Sequence, residues 1–200
     1  MQKPEDSVMG TIPDRIQEPI PIDFDAIIQS NISTLKRWTP FESFERIYDS
    51  KSDKSMKSFV SAVMNKEDVY VIVHDTRGNV FGGYTKKPIV NFADQTGNTD
   101  NFDDNHYIFV LLRNGKDTQP KMFTPSRRRA GFYVYTQGIY WFDMGNHDGR
   151  LSIATPGYNG SYNRNLNLGY TIDDETAING DTTLFQIYTV ARIIVLKITS

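Results

Sequence analysis

The stretch at residues 69–84, V-Y-V-I-V-H-D-T-R-G-N-V-F-G-G-Y, decides the predicted fold. Two β-rich runs, 69–74 and 79–84, flank a short connection that ends at Gly78, and glycine can take the positive φ of a tight turn. The pattern predicts an antiparallel hairpin. Both faces of its first run are largely apolar, so we expect a central hairpin that is covered on both sides.

Two glycines interrupt the second run of this hairpin. Gly82 and Gly83 stand between Phe81 and Tyr84, and a glycine inside a strand usually marks a bulge or the close approach of another backbone. We favour a bend that the packing of the sheet requires. A ligand that approaches the backbone is the alternative.

The composition suits one domain with a hydrophobic core. The 200-residue chain has 38% hydrophobic and 12% aromatic residues, and its net charge is −2. The absence of cysteine excludes disulfides and thiol catalysis. No apolar run is long enough to cross a membrane and none resembles a signal peptide, so we expect a cytoplasmic protein, with the nucleus as the alternative.

The first residues differ from the rest of the chain. Residues 1–22 hold four of the nine prolines and few large apolar side chains, so burial cannot offset the entropy of ordering them. We expect a flexible N-terminal arm over 1–22 and a single domain over 23–200.

Helix signals come before the hairpin. Asp23 and Ser55 each precede an amphipathic segment and can cap its N-terminus. Thr39 followed by Pro40 predicts a further helix. Its apolar face would carry Phe41, Phe44, Ile47 and Tyr48.

Strand signals dominate after the hairpin. Residues 106–113 form an apolar strand candidate, a second hairpin is predicted over 131–144, and residues 184–188 and 192–198 supply closing strands. Residues 158–170 are interpreted as an irregular surface region. Because helices come first and strands follow without regular alternation, the fold class is α+β.

Five segments, taken in order, resemble the TLDc domain, also written TLD. They are Y-D-S-K-S-D-K-S-M-K-S-F at 48–59, V-F-G-G-Y at 80–84, Y-I-F-V-L at 107–111, F-D-M-G-N-H-D-G-R-L-S-I at 142–153 and I-N-G-D-T-T-L-F at 178–185. The resemblance, which is to TLDc proteins of the oxidation-resistance type, covers residues 38–198. The structural positions of the matching motifs are Asp49, Ser50, Ser55, Phe81, Gly82, Gly83 and Tyr84.

The resemblance implies a two-sheet antiparallel β-sandwich flanked by helices. Members of the family are linked to protection against oxidative stress, and several bind the vacuolar proton ATPase (V-ATPase) and modulate its assembly. The leading hypothesis is therefore a non-enzymatic protein-interaction domain that works in one of these contexts without a cofactor. This chain departs from the family at Lys197, where an acidic residue is common, and in its polar version of the glycine-rich stretch.

The densest polar constellation is D-M-G-N-H-D-G at 143–149. Oxygen-bearing side chains beside glycine resemble a calcium loop, but the spacing differs from the EF-hand pattern and the terminal Glu is missing. We therefore expect a polar loop stabilised by Asx-turns rather than a metal site. The candidate interaction positions in it are Asp143, Gly145, His147, Asp148 and Gly149.

Two alternative functions stay open at this point. Arg127, Arg128 and Arg129 form a basic patch near aromatic residues, which favours a nucleic-acid-binding (transcriptional) regulator. Three arginines neutralise only a few phosphates, so the binding would be weak and sensitive to salt. The second alternative is an uncharacterised enzyme with a site near His147, although the chain contains no G-x-S-x-G nucleophile motif.

Overall fold

A computed structural model describes residues 20–91, 102–126, 130–146, 149–172, 178 and 185–199. The helices in these ranges are α1 (Phe24–Ser30), α2 (Ile32–Trp38), α3 (Met56–Val63) and α4 (Leu166–Gly169). The strands are β1 (Ser43–Asp49), β2 (Val69–Asp75), β3 (Val80–Thr85), β4 (Val90–Asn91), β5 (Tyr107–Arg113), β6 (Lys116–Phe123), β7 (Gly131–Val134), β8 (Tyr140–Gly145), β9 (Arg150–Ala154), β10 (Asn159–Arg164) and β11 (Phe185–Thr199). The predicted α+β class is confirmed.

The strands pair in the order β4-β7-β8-β9-β10-β11-β2-β3-β5-β6, and β1 also pairs with β11. Neighbouring strands are antiparallel, except that β4 and β7 are parallel. The prediction of purely antiparallel pairing is therefore wrong for this pair. A parallel pair needs a long crossover, and here the chain between the two strands passes through β5 and β6.

Strand β11 joins two arms of the sheet. Residues 185–189 pair with β10, and residues 190–197 pair with β2. We call β4 and β7 to β10 the first arm, and β1, β2, β3, β5 and β6 the second arm. A register shift between Val190 and Arg192 marks a bulge, which bends the strand where it passes from one arm to the other. The two closing strands predicted from the sequence are thus one continuous strand.

The predicted hairpin is formed by β2 and β3. Both strands are buried along their whole length, which confirms that the hairpin is covered on both faces. The side chains of β2 divide between two hydrophobic cores. Val71 and Val73 belong to a larger core, and Tyr70 and Ile72 belong to a smaller one.

The two cores have different partners. In the larger core, Phe81 of β3 contacts Tyr188 of β11 at 5.6 Å between ring centroids, and the same cluster includes Phe132 and Met144 of the first arm. The smaller core lies beneath α1 and α2. There the ring of Trp38 lies 5.8 Å from that of Phe109.

The helix predicted after Thr39 and Pro40 is wrong, because this part of the chain forms β1. Its residues pair with β11 from Ser43 opposite Thr199 to Asp49 opposite Ile194. The apolar spacing in this short segment fits a helical face about as well as a strand. The segment forms a strand because it pairs with β11, some 150 residues away in the chain. A local sequence pattern does not indicate such distant pairing.

The irregular region predicted over 158–170 is also wrong, because it contains β10 and α4. β10 is polar, but it lies between β9 and β11 and is hydrogen-bonded on both sides. Ser161 and Asn163 are buried on its inner face. Ladder bonds on two sides stabilise a strand whose own residues have low β propensity.

Two of the predicted helix caps are confirmed. The carboxylate of Asp23 accepts a hydrogen bond from the backbone N–H of Ala26 at 3.0 Å. The hydroxyl of Ser55 accepts one from the backbone N–H of Ser58 at 3.2 Å. Each bond satisfies an N–H group that the first turn of a helix leaves unpaired.

An ion-pair network fastens α1 to the second arm. Arg192 donates two hydrogen bonds to Asp49, at 2.9 and 2.6 Å, and a third to Asp25 at 2.7 Å. Arg46 bridges the same two carboxylates. Burial opposes ionisation of Asp49, but its bonds to Arg192 outweigh this and lower its pKa. The family-motif position Asp49 is therefore structural.

The last residues of the predicted N-terminal arm contact the domain. The backbone N–H of Ile20 donates to the carbonyl of Thr76 at 2.9 Å, and Ile22 packs against the smaller core. Residues 1–19 of the predicted arm lie outside the described ranges. None of the described helices has the length and hydrophobicity that crossing a bilayer requires.

The glycines of β3 allow a close approach by another backbone, as the sequence predicted. A β-carbon on Gly82 would overlap the carbonyl oxygen of Val71, and one on Gly83 would overlap the sulfur of Met144. A register shift next to Phe81 also marks a bulge against β5. Packing of the sheet thus accounts for both glycines.

We predict that Gly82→Ala lowers the free energy of unfolding by about 3 kcal/mol, since the rigid carbonyl of Val71 cannot move aside. Urea unfolding monitored by circular dichroism measures this loss.

Gly138→Ala is the matched control, because no atom lies within 4 Å of its β-carbon position and only its positive φ of 94° opposes the change. That strain costs about 1 kcal/mol. Equal losses in the two variants would show that backbone conformation, and not the close approach, explains Gly82.

Candidate interaction face

The structure describes only part of the predicted interaction positions. Those inside the described ranges are Asp143, Gly145 and Gly149. Those outside them are Arg127, Arg128, Arg129, His147 and Asp148. The residues on which both alternatives depend, the arginine patch for nucleic-acid binding and His147 for an enzyme, therefore lie outside the described ranges.

Gly145 and Gly149 flank the turn between β8 and β9. The backbone N–H of Gly149 donates to the side-chain oxygen of Asn146 at 2.8 Å, and the backbone N–H of Asn146 donates to the carbonyl of Gly149 at 3.1 Å. Gly145 has a φ of 132°, and a β-carbon there would overlap the carbonyl oxygen of Gly149. These glycines and Asn146 serve the turn, as expected of a polar loop that is stabilised by its own side chains.

Asp143 lies on the face of β8 that points away from the larger core. Its neighbours Phe142 and Met144 belong to that core, and side chains alternate along a strand. The hydroxyl of Tyr135 donates to Oδ2 of Asp143 at 2.6 Å, and Nη1 of Arg150 lies 3.5 Å from the same oxygen. Burial raises the pKa of the Asp143 carboxyl, while the bond from Tyr135 opposes the rise.

The carboxylate of Asp143 is not fully satisfied by the described residues. The residue is 3% exposed, and its Oδ1 has no hydrogen-bond partner among the atoms that the structure describes. The same holds for Nε of Arg150 and for the hydroxyl of Ser152, which lies opposite Asp143 on β9. A buried carboxylate of this kind depends on its cation, because removing one partner leaves an uncompensated charge.

Arg150 links this carboxylate to a group of tyrosine rings. Its Nη2 donates to the hydroxyl of Tyr162 at 3.0 Å, and its guanidinium carbon lies 5.9 Å from the centre of that ring. The ring of Tyr162 meets Tyr140 edge to face at 5.7 Å, and Tyr140 lies 6.4 Å from Tyr135. The arginine is therefore held in place by a carboxylate on one side and a ring on the other.

The pairing register extends this group across four strands. Arg164 of β10 lies opposite Arg150, Tyr162 lies opposite Ser152, and Ile187 of β11 lies opposite Tyr162. Residues opposite each other on paired strands share a face of the sheet. We call this set the tyrosine–arginine face: Tyr135, Tyr140, Asp143, Arg150, Ser152, Tyr162, Arg164 and Ile187.

Among the described residues, the surface of the tyrosine–arginine face carries more basic than acidic side chains. Within the described stretches 130–146 and 149–172, Asp143 is the only acid and Arg150 and Arg164 are the only basic residues. The side chain of Asp143 is 5% exposed against 27% for Arg150, and Arg164 is exposed. Tyrosine and arginine are enriched in the energetically important parts of protein interfaces. The face therefore has the composition of a docking surface.

A cleft of about 390 Å³ in the second arm is a separate candidate site. His106 lies in its wall, with Nδ1 2.7 Å from the carbonyl oxygen of Tyr84 and Nε2 2.8 Å from the hydroxyl of Tyr170. Because a carbonyl only accepts, Nδ1 carries the hydrogen and Nε2 accepts from the tyrosine. Burial lowers the pKa of His106 to about 4. Both nitrogens are occupied, so these two bonds fix the imidazole in the wall of the cleft.

His74 is buried beneath α1, away from the residues that line the cleft. Its ring lies 5.5 Å from that of Phe24, and its Nε2 has no hydrogen-bond partner in the described structure. Burial, together with the charge of Arg192, lowers the pKa of His74 to about 4. This side chain is a neutral packing group at physiological pH.

Local sequence patterns did not identify Arg150, Tyr162 and Arg164 as members of a site. The segment around β10 was interpreted as irregular because it is rich in Asn and Gly, which strands disfavour. A strand could have been predicted here from the alternation of small polar residues, Ser161 and Asn163, with large ones, Tyr162 and Arg164. This alternation has the period of two that a strand requires.

The chain matches one family of known proteins over most of its length. The family model for the TLDc domain matches residues 25–193. The matched span contains α2, α3 and α4, all of α1 except Phe24, and the whole tyrosine–arginine face. A comparison with curated proteins gives no match.

We predict that stability falls as the pH drops from about 6.5 to about 4, because the unfolded chain then binds protons at His74 and His106 that the folded chain does not. His74→Leu removes one of these groups and leaves stability at pH 7 nearly unchanged, since Nε2 of His74 has no hydrogen-bond partner among the described residues. At pH 5 the variant is expected to be more stable than the wild type by about 1 kcal/mol, after allowance for solvent screening.

Urea unfolding at pH 7 and pH 5 measures this difference. If the free energy of unfolding falls equally from pH 7 to pH 5 in the wild type and in the His74→Leu variant, His74 is protonated in the folded protein. That result would contradict the prediction.

Proposed function

Because the chain belongs to the TLDc-domain family, we propose that it is a protein-interaction domain with no chemistry of its own. The observation that carries the proposal is the tyrosine–arginine face, where a carboxylate and a ring hold Arg150 in place at the surface of a sheet. A side chain fixed before binding loses little entropy on binding. The two described histidines support the non-enzymatic part of the proposal, because burial lowers the pKa of each to about 4 and so makes each a weak base at neutral pH.

In its finer form, the proposal assigns the domain to the oxidative-stress response, to binding and regulation of the vacuolar proton ATPase, or to both. The family resemblance over residues 38–198 supports this assignment. The proposed function also includes the cytoplasmic location that the sequence predicts. Lys197, which stands where the family commonly has an acid, donates to the carbonyl of Ile198 at 3.2 Å. It lies in the part of β11 that pairs with β2, and the tyrosine–arginine face does not include it.

We also propose that the two arms pack face to face as the layers of a β-sandwich within one domain over residues 23–200. Support comes from the larger core, which contains Val71 of the second arm together with Phe132 of the first. The position of Gly83 against Met144 supports the same arrangement, since β3 and β8 belong to different arms.

The alternative of a nucleic-acid-binding regulator has one observation in its favour. Tyrosine and arginine on the open face of a sheet can stack against bases. Against it, the described part of the face offers two arginines, and each arginine neutralises one phosphate. The remaining positive charge needed to bind several phosphates would have to come from Arg127, Arg128 and Arg129.

We predict that subunits of the vacuolar ATPase co-purify with the tagged domain from a cell lysate, and that Ile187→Asp lowers their recovery at least about tenfold. Ile187 is 47% exposed on the tyrosine–arginine face, so a carboxylate there would disturb a docked partner without entering a core. Quantitative mass spectrometry of the eluate, with and without oxidant, measures the recovery.

Met122→Asp is the matched control, since Met122 is 38% exposed on β6 in the second arm. It is expected to leave the recovery unchanged. Absence of pump subunits from the wild-type eluate would remove the V-ATPase assignment, and equal losses in the two variants would remove the face as the docking surface.

A further inference from the structure

Two arginines face each other across the first arm. Arg150 of β9 and Arg164 of β10 occupy directly opposite positions in an antiparallel pair. Like charges in such positions destabilise a sheet. Arg150 is partly neutralised by Asp143, but Arg164 is exposed and makes no ion pair with any residue that the structure describes. Repulsion between the two guanidinium groups lowers stability locally, and an anion bound between them would offset this repulsion.

One member of the pair is already fixed in position. Arg150 is held between Oδ2 of Asp143, at 3.5 Å, and the hydroxyl of Tyr162, at 3.0 Å. Tyr135 holds Asp143 in turn, at 2.6 Å. A guanidinium group positioned in this way suits a planar carboxylate, which it can engage with two parallel hydrogen bonds.

Apolar and aromatic surface adjoins the arginine pair. Ile187, opposite Tyr162, is 47% exposed and lies two residues from the position opposite Arg164, and the ring of Tyr162 itself lies between them. Exposed groups of this kind next to arginine suit protein side chains, whose apolar parts can be buried while their charges are paired. A polyanion such as DNA gains most of its affinity from many phosphate contacts, which two arginines do not supply.

We propose that the tyrosine–arginine face binds an acidic peptide segment of a partner protein, with a carboxylate seated between Arg150 and Arg164 and an apolar side chain against Ile187. This inference rests on the proposed function as a protein-interaction domain and adds the chemistry of the partner. Asp143 is a positioning residue in it, because it acts through Arg150 and is too deeply buried to meet the partner.

The test uses a fluorescein-labelled peptide of repeated Asp-Glu-Phe units, with a peptide of repeated Asn-Gln-Phe units as its neutral match. Fluorescence anisotropy is expected to show binding of the acidic peptide to the wild-type chain. Arg164→Glu is expected to weaken that binding at least about tenfold, because it replaces an attraction by a repulsion. The neutral peptide is expected to bind at least about tenfold more weakly than the acidic one.

Arg37→Glu is the matched control, since Arg37 is an exposed arginine on α2 and the change in charge is identical. It is expected to change the affinity for the acidic peptide by less than about twofold, because screening by salt limits effects over long distances.

Thermal unfolding separates lost binding from lost structure. Arg164→Glu converts a like-charge pair with Arg150 into an opposite-charge pair, so the variant is expected to keep or raise its Tm, by up to about 4 °C. If the variant is at least as stable as the wild type and yet does not bind the acidic peptide, the role of Arg164 is in binding and not in stability.

Three results would overturn the inference. They are equal weakening by Arg164→Glu and Arg37→Glu, equal affinity for the acidic and neutral peptides, and displacement of the acidic peptide by a single-stranded oligothymidylate at equal charge. Failure to recover pump subunits from a lysate is a different outcome, because it removes the V-ATPase assignment and leaves binding of the acidic peptide intact.

Discussion

The continuous strand β11 is the constraint on which the rest of the structure depends. Its first five residues complete the first arm through β10, and the following residues complete the second arm between β1 and β2. The bulge between Val190 and Arg192 allows one strand to serve both arms. The hairpin of β2 and β3 next to it must then be apolar on both faces, because each face meets a different core. The same geometry leaves the outer face of the first arm free for polar and aromatic side chains.

Two charge clusters of similar composition have different roles in this fold. Around Arg192, guanidinium groups and carboxylates alternate, so that Asp25 and Asp49 are each paired and α1 is fixed to the sheet. Around Arg150, one buried carboxylate contacts one arginine, and a second arginine lies opposite the first on the neighbouring strand. The first cluster is balanced and serves stability. Among the described residues, the second has more basic than acidic groups at its surface, which is the arrangement expected where an anionic partner supplies negative charge.

Local patterns predicted the central hairpin, the caps at Asp23 and Ser55 and the family, because turn chemistry, strand alternation and capping depend on neighbouring residues. They failed at β1 and β10, whose strands are stabilised by ladders to distant parts of the chain. The face could be predicted only in part for the same reason. Asp143 was identified from a dense polar segment, whereas Arg164 becomes significant only when the register places it opposite Arg150. Register between distant strands is set by the whole core, and a single sequence does not display it.

Because β11 runs through both arms, we expect it to couple them into one cooperative unit. Hydrogen exchange of backbone amides, followed in the native state at increasing low concentrations of denaturant, measures this coupling. Amides at 186–189, which belong to the ladder with β10, and amides at 193–196, which belong to the ladder with β2, are expected to converge on a single opening free energy. Opening of β8, β9 and β10 at a clearly lower free energy, while β2 and β3 stay protected, would contradict it.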